Sequence, residues 1–169
     1  MKYQIKELEP FRLFGLNPVN TDGWTREQYL EYADLITEDG SHDEINIAAG
    51  FQGNILEMIK RDEWDLSRIH LLHFIHFWNE EGIKHSMYAW EGPEEGVDNK
   101  FTVLNVPRSS WVVVSIDLKD DRAGIMACYK DLYVNWFPTS GYEQNPACPM
   151  IEKYFDNNRA ELWMPIIKK

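Results

Sequence analysis

The chain has 169 residues, 44% hydrophobic and 27% charged, the size and balance of one globular domain with room for a core. A formal net charge of −11 repels phosphate backbones, which argues against direct nucleic-acid binding and for a cationic partner. No apolar run approaches the ~18 residues of a membrane span, and no signal segment opens the chain, so the reading is a cytoplasmic protein with no membrane partner.

Cys128 and Cys148 lack a CxxC spacing and fit free thiols in a reducing compartment. Seven Trp, eight Tyr and eight Phe make the chain 14% aromatic, enough to fill a core or to wall a pocket. From the N-terminus, Tyr3 to Leu8 alternates as a strand, and Phe11 to Leu16 follows Pro10 as a second extended piece. Thr25 and Gln28 form a capping box for an amphipathic helix carrying Tyr29, Tyr32, Ala33 and Ile36, stopped by Gly40. A second capping pattern, Ser41 to Glu44, precedes a short apolar piece ending at Gly50.

Ile55, Leu56 and Ile59 suggest another helix, and Ile69 to Trp78, IHLLHFIHFW, is read as a further one. There His70, His73 and His76 recur every third residue; on a helix the outer two lie about 120° apart, too far round to share one ion. They are read as flanks of a Leu72/Ile75/Phe77 core stripe, with no metal and no cofactor implied. Strands follow at Lys84 to Trp90, Phe101 to Val106 and Trp111 to Asp117; the first two are joined by the acidic turn Glu91 to Gly96. Asp120 and Asp121 then precede a helix from about Ala123 to Asn135, with Ile125, Met126, Tyr129, Leu132 and Tyr133 on its inner face.

The last stretch, Tyr133 to Ile167, makes a turn and two strands joined by Asp156-Asn157-Asn158-Arg159. Alternation puts Met150, Glu152 and Tyr154 on one face, and gives the other, with Lys153, to solvent. Glu152 therefore leans inward from an apolar, aromatic strand. With Phe155 opposite Ala160, Glu152 falls across from Trp163, and an acid beside an indole suits an organic cation. An ordinary rim salt bridge of Glu152 with a Lys or Arg is the other reading.

Three pieces of this stretch, Trp136-Phe137-Pro138-Thr139-Ser140-Gly141-Tyr142-Glu143, Pro149 to Tyr154 and Leu162 to Ile166, resemble the C-terminal signature of the GyrI-like small-molecule-binding family. That family includes the effector-binding domains of bacterial AraC- and MerR-type multidrug-responsive transcription regulators. The resemblance implies that Glu152 is the acidic floor of a ligand pocket. Residues 41–80 depart from the family pattern.

The element order, together with the resemblance, predicts an α+β fold. It comprises duplicated β-α-β-β units forming an antiparallel sheet, with helices on one face, a central ligand cleft and extra helices in the first half. The chain is read as a single domain over 1–169, its first repeat about 1–106 with a helical insertion about 41–80, its second about 111–169. Trp163, Trp90 and Tyr142 are the expected aromatic walls, with contributions from Tyr154, Trp136, Tyr88 and Trp111. The expected ligand is a small, flat, apolar cation, held by a stand-alone sensor or sequestering protein without a DNA-binding half. Exposed aromatics allow a homodimer. The resemblance also implies an alternative, a hydrolase of strained or electrophilic molecules with Glu152 as base or nucleophile and Tyr142 or Tyr154 as proton donor. A third reading is a protein-binding inhibitor of the gyrase type.

Overall fold

Ten strands pair antiparallel into one sheet in the computed structural model, which describes residues 2–15, 18–29, 72–91, 102–117, 123–156 and 159–169. They are β1 (Tyr3–Leu8), β2 (Phe11–Gly15), β3 (Val19–Asn20), β4 (Leu72–Trp78), β5 (Lys84–Glu91), β6 (Thr102–Val106), β7 (Ser109–Asp117), β8 (Tyr142–Gln144), β9 (Met150–Asp156) and β10 (Arg159–Lys168). The path through the sheet runs β1-β7-β10-β9-β4-β5-β2-β6, with β3 added on β5 and β8 on β10. This order is a palindrome about the β4·β9 seam. On each side lie a strand, its hairpin partner and the strand before the helical region, and the outermost strand is exchanged from the opposite half.

The sheet curls. Phe11 of β2 and Trp111 of β7 are five strands apart in the sheet order, yet their rings lie 6.3 Å from each other. In a flat sheet, at about 4.8 Å per strand, they would be ~24 Å apart. The inner face so enclosed is packed with Leu13, Ile75, Met87, Val113 and Ile151, all 0% exposed, and with Trp163 at 6%. The outer face carries the helices: Ile125 and Leu132 cover Val112, Val114, Leu162 and Met164 on one side of the seam, and Trp24 and Tyr29 cover Phe74 and Tyr88 on the other. This is the α+β fold expected, with helices on one face of an antiparallel sheet.

Several local expectations are met atom by atom. In the capping box, Thr25 N–H donates to Gln28 Oε1 at 2.8 Å and Gln28 N–H to Thr25 Oγ1 at 3.4 Å. Gly15 sits where only glycine fits, since a Cβ there would collide with the Tyr88 carbonyl and come within 2.7 Å of Ala89 Cα. The helix read from Ala123 to Asn135 is α-helical over Ala123–Asp131 (α1), becomes a π-helix over Leu132–Trp136, and finishes as α2, Phe137–Ser140. Gly141, at φ 75°, closes it in the left-handed region. Tyr133, on that wider turn, is exposed, and so is Met126 of α1, both of them expected on the inner face, while Ile125 and Leu132 stay inside.

The segment read as a helix over Ile69 to Trp78 is instead strand β4 from Leu72 onward. Its cause lies just downstream. Asn79 Oδ1 accepts from the Glu81 and Ile83 N–H groups at 3.0 and 2.9 Å, and Gly82 takes φ 76°. That turn folds β4 back on β5 as a hairpin. The remainder of the helix begun at residue 26, the Ser41 capping pattern, the apolar pieces near Gly50 and Ile59, the body of the acidic turn after Glu91, and Asp120 to Arg122 lie outside the described residues. Among the described residues no helix is long and apolar enough to cross a membrane.

Candidate functional site

Glu152 stands at the seam, paired in register with Phe74 of β4 on one side and Leu162 of β10 on the other. Its side chain points to the outer, helix-bearing face and is 8% exposed. The expected register placed it across from Trp163. Asp156 does pair with Arg159, but Ala160 then pairs with Tyr154, so Phe155 is a bulged extra residue. A one-residue slip exchanges faces. Leu162 therefore accompanies Glu152, and Trp163 goes to the inner face against Trp111, with ring centroids 6.2 Å apart.

A buried carboxylate costs several kcal/mol unless it is bonded and neutralised. Two side chains on different elements bond to it. Tyr129 of α1 donates its O–H to Glu152 Oε1 at 3.0 Å, and His76 Nε2 lies 3.2 Å from the same oxygen. His76, 5% exposed at its side chain, continues the chain: its Nδ1 is 2.8 Å from Ser86 Oγ, which is 2.7 Å from Thr21 Oγ1. Tyr29 O–H closes the run on the Thr21 carbonyl at 3.3 Å. Rings enclose this chain. Phe74 meets His76 edge-on at 4.6 Å and stacks on Tyr88 at 4.7 Å, and Tyr29 stands edge-on to His76 at 5.9 Å.

The two faces of β4 and β9 hold separate ion clusters, because His73 and Lys153 point the other way from His76 and Glu152. Lys153, expected in solvent, is 7% exposed: the curled sheet covers its inner face too. Its Nζ lies 2.7 Å from Glu91 Oε1 and 4.3 Å from the Trp163 ring, while Lys6 Nζ lies 4.7 Å from the same ring. His73 Nε2 is 3.2 Å from Glu91 Oε1. The His73 hydrogen bond, opposed by partial burial and reinforced by Lys153, lowers the Glu91 carboxyl from the ordinary 4.5 to about 2.

Of the residues read from sequence, Glu152 and Tyr88 are brought to one place, linked through Phe74. Trp111 and Trp163 are on the inner face. Tyr142 stacks on Trp136 at 5.9 Å and pairs with Lys168, six residues along β10 from Leu162, roughly 20 Å at a strand's rise. Neither of that pair is beside Glu152. For Trp90 and Tyr154 only the backbone is described, opposite Phe14 and Ala160 respectively. His76, Ser86, Thr21, Phe74 and Tyr29 were not read as site residues, and Tyr129 only as a core residue. A signal for His76 existed in the Asn79 to Gly82 turn, which marks a strand and so puts His73 and His76 on opposite faces. Among the described residues no group of three or more His, Cys, Asp or Glu side chains could hold a metal ion.

A curled antiparallel sheet with helices on its outer face and a buried acid at the seam defines a small-molecule effector-binding class. The family model for integron-associated effector binding proteins matches residues 4–166, and the chain belongs to that family. No curated protein matches it. Among solved structures, it is similar to SAV2435 bound to tetraphenylphosphonium (14% identity, TM-score 0.70), covering 99% of this chain and 94% of that one. A putative bacterial transcription regulation protein from Staphylococcus aureus MU50 is similar at 16% identity and TM-score 0.65, with 98% of both chains covered. The integron cassette protein VCH_CASS2 from the mobile metagenome of Vibrio cholerae gives 9% identity and TM-score 0.55, covering 98% of this chain and 95% of that one. At these identities the likeness is one of fold.

Proposed function

We propose that the chain is a sensor or sequestering protein that binds a flat, apolar, cationic organic molecule, with Glu152 as its charge partner. One observation carries this reading: a carboxylate 8% exposed at the β4·β9 seam, bonded to Tyr129 and His76 and in register with Phe74, on which Tyr88 and Tyr29 pack in turn. An aromatic surround attracts a cation through ring quadrupoles, and low local polarity strengthens the pull of the acid. The net charge of −11 adds long-range attraction for cations. The tetraphenylphosphonium bound by a protein of the same fold supports the positive charge and the aromatic, apolar surface of the ligand, though its tetrahedral phosphorus makes it bulky rather than flat.

A hydrolytic reading also has an observation in its favour, because Ser86, His76 and Glu152 form a hydroxyl–imidazole–carboxylate chain. The setting of Ser86 counts against it. This serine is 0% exposed in the middle of β5, paired with His76 on one side and Val19 on the other, so neighbouring strands flank it where an oxyanion hole would be needed. Of the two proton donors expected for that reading, Tyr142 and Tyr154, Tyr142 lies far from Glu152, and the hydroxyl bonded to the acid is that of Tyr129.

The test is tryptophan fluorescence titrated with tetraphenylphosphonium and with triphenylphosphine oxide, a neutral compound of related shape. Saturable quenching by the cation that Glu152→Gln weakens at least tenfold is expected. Equal affinity of wild type and Glu152→Gln refutes the charge-partner role. Turnover of activated esters that Ser86→Ala abolishes would favour the hydrolytic reading instead.

A further inference from the structure

We propose that Lys84 is a specificity-determining residue of the Glu152 site. Its ammonium, laid on the far end of the aromatic cluster, selects ligands with a single positive charge and a neutral apolar tail, and disfavours dications. This rests on the reading of Glu152 as charge partner and specifies which cations that site takes.

On β5, Lys84, Ser86 and Tyr88 alternate onto the same, helix-bearing face. Tyr88 shares a row with Glu152, since Phe74 pairs with both. Lys84 pairs with Trp78, four residues further along β4, so its backbone lies two strands and four residues from Glu152, about 16 Å away. Its side chain turns onto Tyr29, with Nζ 5.2 Å from the ring centroid. From Glu152 the neighbours therefore run to Phe74, in register with it, then to Tyr29, edge-on to Phe74 at 6.3 Å, and then to the Lys84 ammonium. Tyr88, stacked on Phe74 at 4.7 Å, and Trp24, 5.4 Å from Tyr29, widen this apolar path. A carboxylate stands at one end of it and an ammonium at the other.

Among the described residues Lys84 makes no ion pair, although the chain holds 28 acids; Tyr29 is what its ammonium lies against. A ring face attracts an ammonium without neutralising it, so positive charge persists at this end of the path. A ligand whose charge is held at Glu152 lays its tail towards Phe74 and Tyr29. A second positive charge on that tail would compete with Lys84 for the Tyr29 face and meet its repulsion within a Debye length, about 10 Å at 0.1 M salt. A neutral tail meets neither obstacle, and the methylene stem of Lys84 adds apolar surface for it to pack on.

The test is tryptophan fluorescence of the full chain titrated with decyltrimethylammonium and with decamethonium, which carries a second trimethylammonium at the far end of the same chain, at fixed low salt. Lys84→Met and Lys84→Gln, two neutral replacements of different polarity, should each raise decamethonium affinity about fivefold more than decyltrimethylammonium affinity. Lys84→Arg keeps the charge and should keep the wild-type ratio. Glu152-dependent binding in which the neutral variants shift both ligands equally, or in which Lys84→Arg behaves as they do, overturns the role of Lys84 and leaves the charge-partner reading intact. Binding of both ligands that Glu152→Gln leaves unchanged overturns that reading and this one with it, as does the absence of saturable binding.

Discussion

The two faces of the β4·β9 seam carry two versions of one pairing, a histidine against a glutamate, and the difference between them lies in how far water reaches each carboxylate. On the inner face Glu91 has His73 at 3.2 Å and also Lys153 at 2.7 Å, a permanent cation. On the outer face Glu152 Oε1 meets the His76 imidazole at 3.2 Å and the Tyr129 hydroxyl at 3.0 Å. Glu91 is half exposed and Glu152 is buried, so water can take over from a lost partner at Glu91 but not at Glu152. The inner cluster fastens β5 to β9 across β4. The outer one joins α1, β4 and β9 through Tyr129, His76 and Glu152.

Breaking the inner cluster should give the largest effect on stability. Glu91→Ala leaves the Lys153 ammonium, 9% exposed at its side chain, without its carboxylate and is expected to cost about 2–3 kcal/mol in chemical denaturation, with cation affinity unchanged. A comparable loss of affinity with no loss of stability would reverse the roles of the two faces. Next comes Tyr129→Phe, which removes one donor from Glu152 and should weaken cation binding by about fivefold, near 1 kcal/mol, in the fluorescence titration. Lys153→Met is smaller still, under about 1 kcal/mol, because the exposed side of Glu91 rehydrates while the thioether packs on Trp163.

The pH dependence of the inner cluster has a definite sign. Glu91 has a folded-state value below its ordinary one, so its contribution is present above pH 4.5 and is lost as pH falls from 4.5 towards about 2. Acid unfolding of wild type should steepen in that window and be flatter in Glu91→Gln. An unchanged slope would show that the His73 and Lys153 contacts persist in the unfolded chain or do not favour the carboxylate.

Much of this was legible in the residues. Glu152 stood out because a carboxylate in Met150-Ile151-Glu152-Lys153-Tyr154 has an apolar side and alternation assigns it there. The Thr25–Gln28 box and most strands were readable from local chemistry. The helix read over Ile69 to Trp78 failed for a physical reason: β4 is covered on both faces, so both its odd and its even positions are apolar or aromatic, and the alternation that marks a half-buried strand vanishes. Trp163 was misplaced by one bulged residue, Phe155, which no turn motif announces. Tyr129 and His76 could not be joined to Glu152 from sequence, because α1 and β4 meet the acid only through the tertiary arrangement.

The exchange of outer strands between the halves bears on how the chain is made as well as on how it stands. Tyr3 must wait for Val114, and Phe11 for Val106, before either finds its partner. Neither half can complete its edge before most of the chain has left the ribosome. Pairings this remote in sequence close slowly, on the millisecond-to-second scale of non-local β proteins. For that interval β1 stands without its partner, though its Tyr3 and Ile5 remain about half exposed even once the sheet has formed. Because β7 in turn pairs with β10 at the end of the chain, the sheet is expected to close only once the whole chain has been made.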